Sequence, residues 1–104
     1  MTGNHLRQTE ALGAAEAGIK AALPWLDAHY DSCEPGLLIA TGGFGPGVWY
    51  SVNITDCLAA DGRIVLRSNG SGSDGTARRS VEVIYVPPLG ALPGRYDAWR
   101  EIVQ

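Results

Sequence analysis

The side chains with the most chemical potential in this 104-residue chain are two cysteines, Cys33 and Cys57, and two imidazoles, His5 and His29. The cysteines lack CxxC spacing, and the two histidines form no recognisable zinc-ligand pattern with them in sequence. Two readings remain open for the pair. Buried thiols are the plainer one; a disulfide between them would stabilise so small a domain by about 3 kcal/mol in the chain-entropy description. It would also suit an extracytoplasmic protein, and we take it as the expectation. His5 stands in an opening, Met1-Thr2-Gly3-Asn4-His5, that reads like a tag remnant. His29 falls at the end of a helical pattern, where a solvated imidazole is ordinary. A serine or cysteine nucleophile needs a base within hydrogen-bond reach, and no nucleophile elbow or Cys/His signature supplies one. No catalytic residues and no cofactor are therefore expected.

Gly70 to Gly75 carry the letters GxGxxG, but a strand pattern follows instead of a helix, so no helix N-terminus is placed to receive a pyrophosphate. A flexible hairpin tip is the expectation there. Arg78 and Arg79, adjacent in a strand, point to opposite faces and form no joint anion site; Arg79 is expected on the Val81 side, solvated at the sheet edge. Asn53-Ile54-Thr55 and Asn69-Gly70-Ser71 spell glycosylation sequons that short sequences produce by chance.

The elements that must position these groups follow from size and pattern. One domain is all that 104 residues allow, with 45% hydrophobic and 18% charged residues placing it among globular chains and away from disorder. A net charge of −3 without a basic block argues against nucleic acid as a partner. No run of about 18 apolar residues occurs, so the chain as it stands reads as soluble; a native membrane segment just upstream remains compatible with the tag-like opening.

Leu12, Ala15, Ile19, Ala22, Leu23, Leu26 and Tyr30 recur at three-and-four spacing, which predicts a helix over 6–31 with this stripe buried. Thr9 is its expected N-cap, Glu10 stands in its first turn, Glu16 and Lys20 form an exposed pair, and Pro24 is expected to kink it. Ala11, Gly13, Ala14, Ala17, Gly18 and Ala21 leave the opposite face almost without side chains. Close approach of another backbone would offset the roughly 1 kcal/mol that each glycine costs a helix interior. The alternative is a plain Ala-rich solvent face.

Alternating patterns at Val48–Thr55, Arg63–Arg67 and Ser80–Tyr85 predict strands, joined at Asp61-Gly62 and at Gly70–Gly75. Leu37 to Thr41 is a further short apolar run, and Gly42 to Gly47 is expected to be loop. The fold class is therefore α+β: an N-terminal helix on a small antiparallel sheet of three to four strands in meander order. Sheet is expected over 37–86 and a tail over 87–104, within a single domain 1–104. Phe44, Trp49 and Tyr50 are expected as core and cover, with a ligand surface as the alternative.

Ala14-Ala15-Glu16-Ala17-Gly18-Ile19, followed by Ala21-Ala22-Leu23 and Trp25-Leu26, resembles the region after the membrane-spanning part of the helix in type IV minor pilins of the PilX kind. Arg67 to Gly72 and Thr76 to Val83 look like that family's final hairpin, and Trp99-Arg100-Glu101-Ile102 looks like its chain end. The resemblance implies a pilin-like head, anchored in the inner membrane facing the periplasm by a hydrophobic helix half missing here, and then carried into an extracellular pilus. Its partners would be other major and minor pilins. Its roles would lie in pilus assembly, tip formation or adhesion, with Ala14, Ala17, Gly18 and Ala21 packing against neighbouring helices. Related plans are a type II secretion minor pseudopilin and, in another class, a free extracellular binding module.

Overall fold

The computed structural model describes residues 2–43, 47–58, 62–72 and 77–102, with helix side chains from Glu10 onward. Its first element, α1 (Thr2–His29), runs for 28 residues and passes into one 3-10 turn, Tyr30–Ser32. The helix starts before the expected residue 6, so Thr9 is an interior position and not the N-cap, and Glu10 is not in the first turn. Pro24 lies inside it and can give no amide hydrogen to the Lys20 carbonyl. The helix nonetheless continues to His29, and Leu26, beyond the proline, is fully buried.

Five strands follow: β1 (Leu38–Gly43), β2 (Trp49–Leu58), β3 (Arg63–Ser71), β4 (Arg78–Val86) and β5 (Arg95–Ile102). They form one sheet in the order β1-β2-β3-β4-β5, and every neighbouring pair is antiparallel. The α+β meander under a single helix stands as expected, with five strands in place of three to four. Gly42 and Gly43 belong to β1, not to a loop, because they pair with Tyr50 and Trp49. The segment expected as a tail carries β5, whose alternation is broken by a bulge at Ala98 and Trp99. Gly70 and Ser71, read as a hairpin tip, are paired residues of β3; the rest of that tip, 73–75, lies outside the described residues, as does Phe44.

One face of the sheet alternates inward along every central strand. Val52 and Ile54 of β2, Ile64 and Leu66 of β3, and Val81, Val83 and Tyr85 of β4 meet Ala15, Ile19, Ala22 and Leu26 of α1. Burying each of the valine, leucine and isoleucine side chains stabilises the fold by about 1.5–3 kcal/mol. The interface tapers. Toward the helix C-terminus large side chains fill it, whereas toward the N-terminus Ala11, Ala14 and Ala15 lie buried at the end where β3 presents only Ser68 and Gly70.

At that narrow end the backbones almost touch. A Cβ placed on Gly70 would run into the Ala11 carbonyl and the Ala15 amide, and one on Gly18 would meet the Ser68 hydroxyl, Tyr50 and Val52. Glycine at both positions lets the helix settle onto the strands where there is no room for a methyl group. Gly70→Ala should therefore lift the helix and cost about 3 kcal/mol, read as a lowered urea midpoint. Gly43→Ala, whose Cβ would find only ordinary contacts at 3.8 Å, should cost well under 1 kcal/mol. Equal losses in the two variants would disprove the close-approach account.

Candidate functional site

The helix surface turned away from the sheet is a stripe of small residues. Gly13 and Ala17 are half-buried, and Ala21, Pro24 and Ala28 are exposed; their spacing of four, four, three and four keeps them on one face of α1. The residues expected to make filament contacts do not share that face. Ala14 and Gly18 are buried against this chain's own sheet, while Ala17 and Ala21 point outward. The reason is geometric: steps of three and four keep the four residues in one arc of the helix, and that arc straddles the edge of the buried side, with Ala14 and Gly18 inside it and Ala17 and Ala21 beyond it. Of the four, two are outward residues and two seat the helix on this chain's own sheet.

Beside this stripe runs a groove of about 310 Å³ lined by Gly13, Glu16, Ala17, Lys20 and Trp99. Trp99 reaches it because β5 is bulged. Glu82 pairs with Arg100 and Ile84 with Asp97, leaving Ala98 and Trp99 together opposite Val83. Ala98 takes the left-handed conformation, φ 51°, and its amide donates to Asp97 Oδ1 at 3.0 Å. The extra residue shifts the alternation, so Trp99 lies on the helix side and Arg100 on the outer side, where its Nη2 donates to Glu82 Oε1 at 2.9 Å.

Two further links tie β4 and β5 to the helix. Tyr85, fully buried, donates to Asp27 Oδ1 at 2.6 Å, and Tyr96 donates to the Ile19 carbonyl at 2.5 Å. Edge-to-face contacts connect Tyr85 to Tyr96 and Tyr96 to Trp99, with centroids 6.1 and 6.4 Å apart. Arg79 does not lie solvated at a sheet edge as expected. β5 covers β4, and Arg79 Nε donates to Glu101 Oε2 at 2.9 Å while Nη2 donates to Oε1 at 2.5 Å. None of these tyrosine and arginine links is visible in sequence without the β4-β5 register.

Cys33 and Cys57 are brought together, with Cα atoms 6.0 Å apart and sulfurs at bonding distance. A second bulge makes this possible. Ile54 faces Leu66, but the next pair is Asp56 with Val65, leaving Thr55 extra; Thr55 Oγ1 donates to the Val65 carbonyl at 3.2 Å. Simple alternation from the buried Ile54 would send Cys57 to the outer face. The bulge turns it inward opposite Ile64, toward the chain leaving the helix. Among the described residues, no group of three or more acidic, histidine or cysteine side chains is placed to hold a metal, and no helix is long and apolar enough to cross a membrane.

Deleting Thr55 should turn Cys57 outward and leave two alkylatable thiols, with a loss of stability no smaller than the about 3 kcal/mol expected for the disulfide; an intact bond in the deletion variant would refute the bulge's role. Alkaline titration provides a separate check. Burial, reinforced by the hydrogen bond to Asp27, raises the Tyr85 phenol above its usual value, and burial followed by the Asp27 charge raises Tyr96. The unfolded chain releases these protons near pH 10 and the fold resists, so the linked stability is complete below about pH 10 and lost above it. The melting temperature should fall between about pH 9.5 and 11.5, and less steeply in a Tyr85→Phe/Tyr96→Phe double variant. Compared with known proteins, the chain matches no family model, no curated protein and no solved structure.

Proposed function

We propose that this chain is the head of a minor type IV pilin, a structural subunit that takes part in pilus assembly or in forming the tip complex. The observation that carries the reading is the two-sided helix: one side sealed onto the chain's own sheet, the other offering the small-residue stripe from Gly13 to Ala28. Small residues let a neighbouring helix approach closely, which is what a filament core built of parallel helices requires. Length supports the same plan. A 28-residue helix spans about 42 Å, against about 30 Å for the nine residues of β3. Ala11 already lies over Gly70, next to the end of that strand. The helix therefore outruns the sheet at its N-terminal end, the end from which a membrane-anchored half would lead.

In this reading the protein works by packing. Ala17 and Ala21 meet other pilins, Ala14 and Gly18 hold the helix to the head, and the disulfide keeps the helix end fastened to β2 outside the cytoplasm. The head faces the periplasm before assembly and the exterior afterwards.

Ala21→Arg, made in the cells that produce the chain, tests this. A large cation on an exposed position should leave the isolated domain's stability within about 0.5 kcal/mol while removing the protein from sheared surface fibres. Wild-type chain absent from those fibres, with secretion of folded exoproteins impaired instead by Ala21→Arg, would assign it to a type II secretion pseudopilus; absence from both assemblies would end the filament reading.

A further inference from the structure

The sheet face opposite the helix contains a groove that the filament role does not use. Strand register builds it. Trp49, Ser71 and Arg78 lie side by side across β2, β3 and β4, and Ser51, Asn69 and Ser80 form the next row. Together they line a groove of about 360 Å³. Trp49, expected in the sequence as core or cover, is 59% exposed: it alternates with Tyr50, and Tyr50 is the residue turned toward Gly18 and the helix. Burying a large aromatic left in water would be favourable, convergent polar groups lie beside this one, and nothing among the described residues covers it.

The polar groups define what would lie there. Ser80 Oγ donates to Asn69 Oδ1 at 2.6 Å, which holds the carboxamide by its oxygen and leaves its NH2 to donate. Ser51 and Ser71 add hydroxyls that both donate and accept. Arg78 is exposed at the groove's end, and no ion pair engages its guanidinium among the described residues. One row beyond Asn69, Arg67 has a buried Nε without a partner among the described residues; the carboxylate nearby in that row, Glu82, is already bound by Arg100.

We infer that this groove binds an acidic saccharide, with the Trp49 ring against the C–H face of one sugar, Asn69 and the serines on its hydroxyls, and Arg78 on a carboxylate. The chemistry fits each part. Sugar C–H groups carry partial positive charge that suits the negative face of an indole, and a planar guanidinium pairs with a carboxylate through two parallel hydrogen bonds. A single-stranded nucleic acid is the poorer occupant: such sites use successive aromatic platforms along a basic channel, whereas this groove has one exposed aromatic in a chain of net charge −3.

The purified domain can be titrated with tetragalacturonate, 3′-sialyllactose, neutral cellotetraose and oligothymidylate, following the Trp49 indole and Asn69 side-chain signals by NMR. Saturable shifts at those two groups with at least one acidic saccharide are expected, with cellotetraose at least tenfold weaker. Trp49→Ala and Arg78→Gln should each weaken binding about tenfold, while backbone signals on the helix side stay in place as proof of an intact fold. No saturable response to either acidic saccharide would overturn the inference. So would undiminished binding in both variants, equal affinity for cellotetraose, or a response to oligothymidylate alone. Because the isolated domain is assayed in solution, the outcome does not depend on whether the chain enters a filament.

Discussion

Everything else in this structure depends on how closely the backbone of one helix can approach the backbone of a strand. At Gly18 and Gly70 the space left for a side chain is smaller than a methyl group, which fixes the height of the helix N-terminal half above the sheet. Once that height is set, Ala11, Ala14 and Ala15 are large enough to fill the gap. Farther along, the interface widens to take Ile19 and Leu26 against Ile64, Leu66 and Tyr85. Because close packing leaves few voids, the tapered contact admits one register of helix on sheet. The Ser68 hydroxyl, buried at the tight end without a partner among the described residues, is the polar cost of placing a strand so near a helix.

The two bulges act on that fixed frame as switches of direction. An added residue at Thr55 carries Cys57 to the helix side, and an added residue in β5 does the same for Trp99 while sending Arg100 outward to Glu82. In each case a local irregularity exchanges which face a functional side chain occupies, because strand alternation has a period of two and one extra residue inverts it. The disulfide and the groove beside the outward helix stripe are thus products of the same device. Tyr85 and Tyr96 then lock β4 and β5 to Asp27 and to the helix backbone at Ile19, so the edge strand that carries Trp99 cannot shift without breaking these hydrogen bonds.

This arrangement leaves the molecule with two exposed faces of different character. The helix side offers small residues and little polarity, suited to close contact with another helix. The outer sheet face offers an exposed tryptophan among hydroxyls, a carboxamide and guanidinium groups, suited to a small polar ligand. In the function proposed above, the chain assembles through the first face and meets its surroundings through the second, so a ligand on the sheet would leave the helix free.

The sequence by itself determined the class of fold and much of its core. Period-two alternation in Val52–Ile54, Ile64–Leu66 and Val81–Tyr85, and three-and-four spacing from Leu12 to Leu26, are strong signals because each contrasts apolar with polar positions. The cysteine pair was likewise legible as a candidate bond. Only the tertiary structure decided how far the buried side reaches around the Ala- and Gly-rich half of the helix to take in Ala11, Ala14 and Gly18, since alanine and glycine differ too little in hydrophobicity to mark a face. Steric fit against Ser68 and Gly70 made that choice. It also decided that β5 exists, that Arg79 pairs with Glu101, and that Trp49 stands in water. Each of these rests on strand register and on single-residue bulges, long-range matters that local composition does not encode.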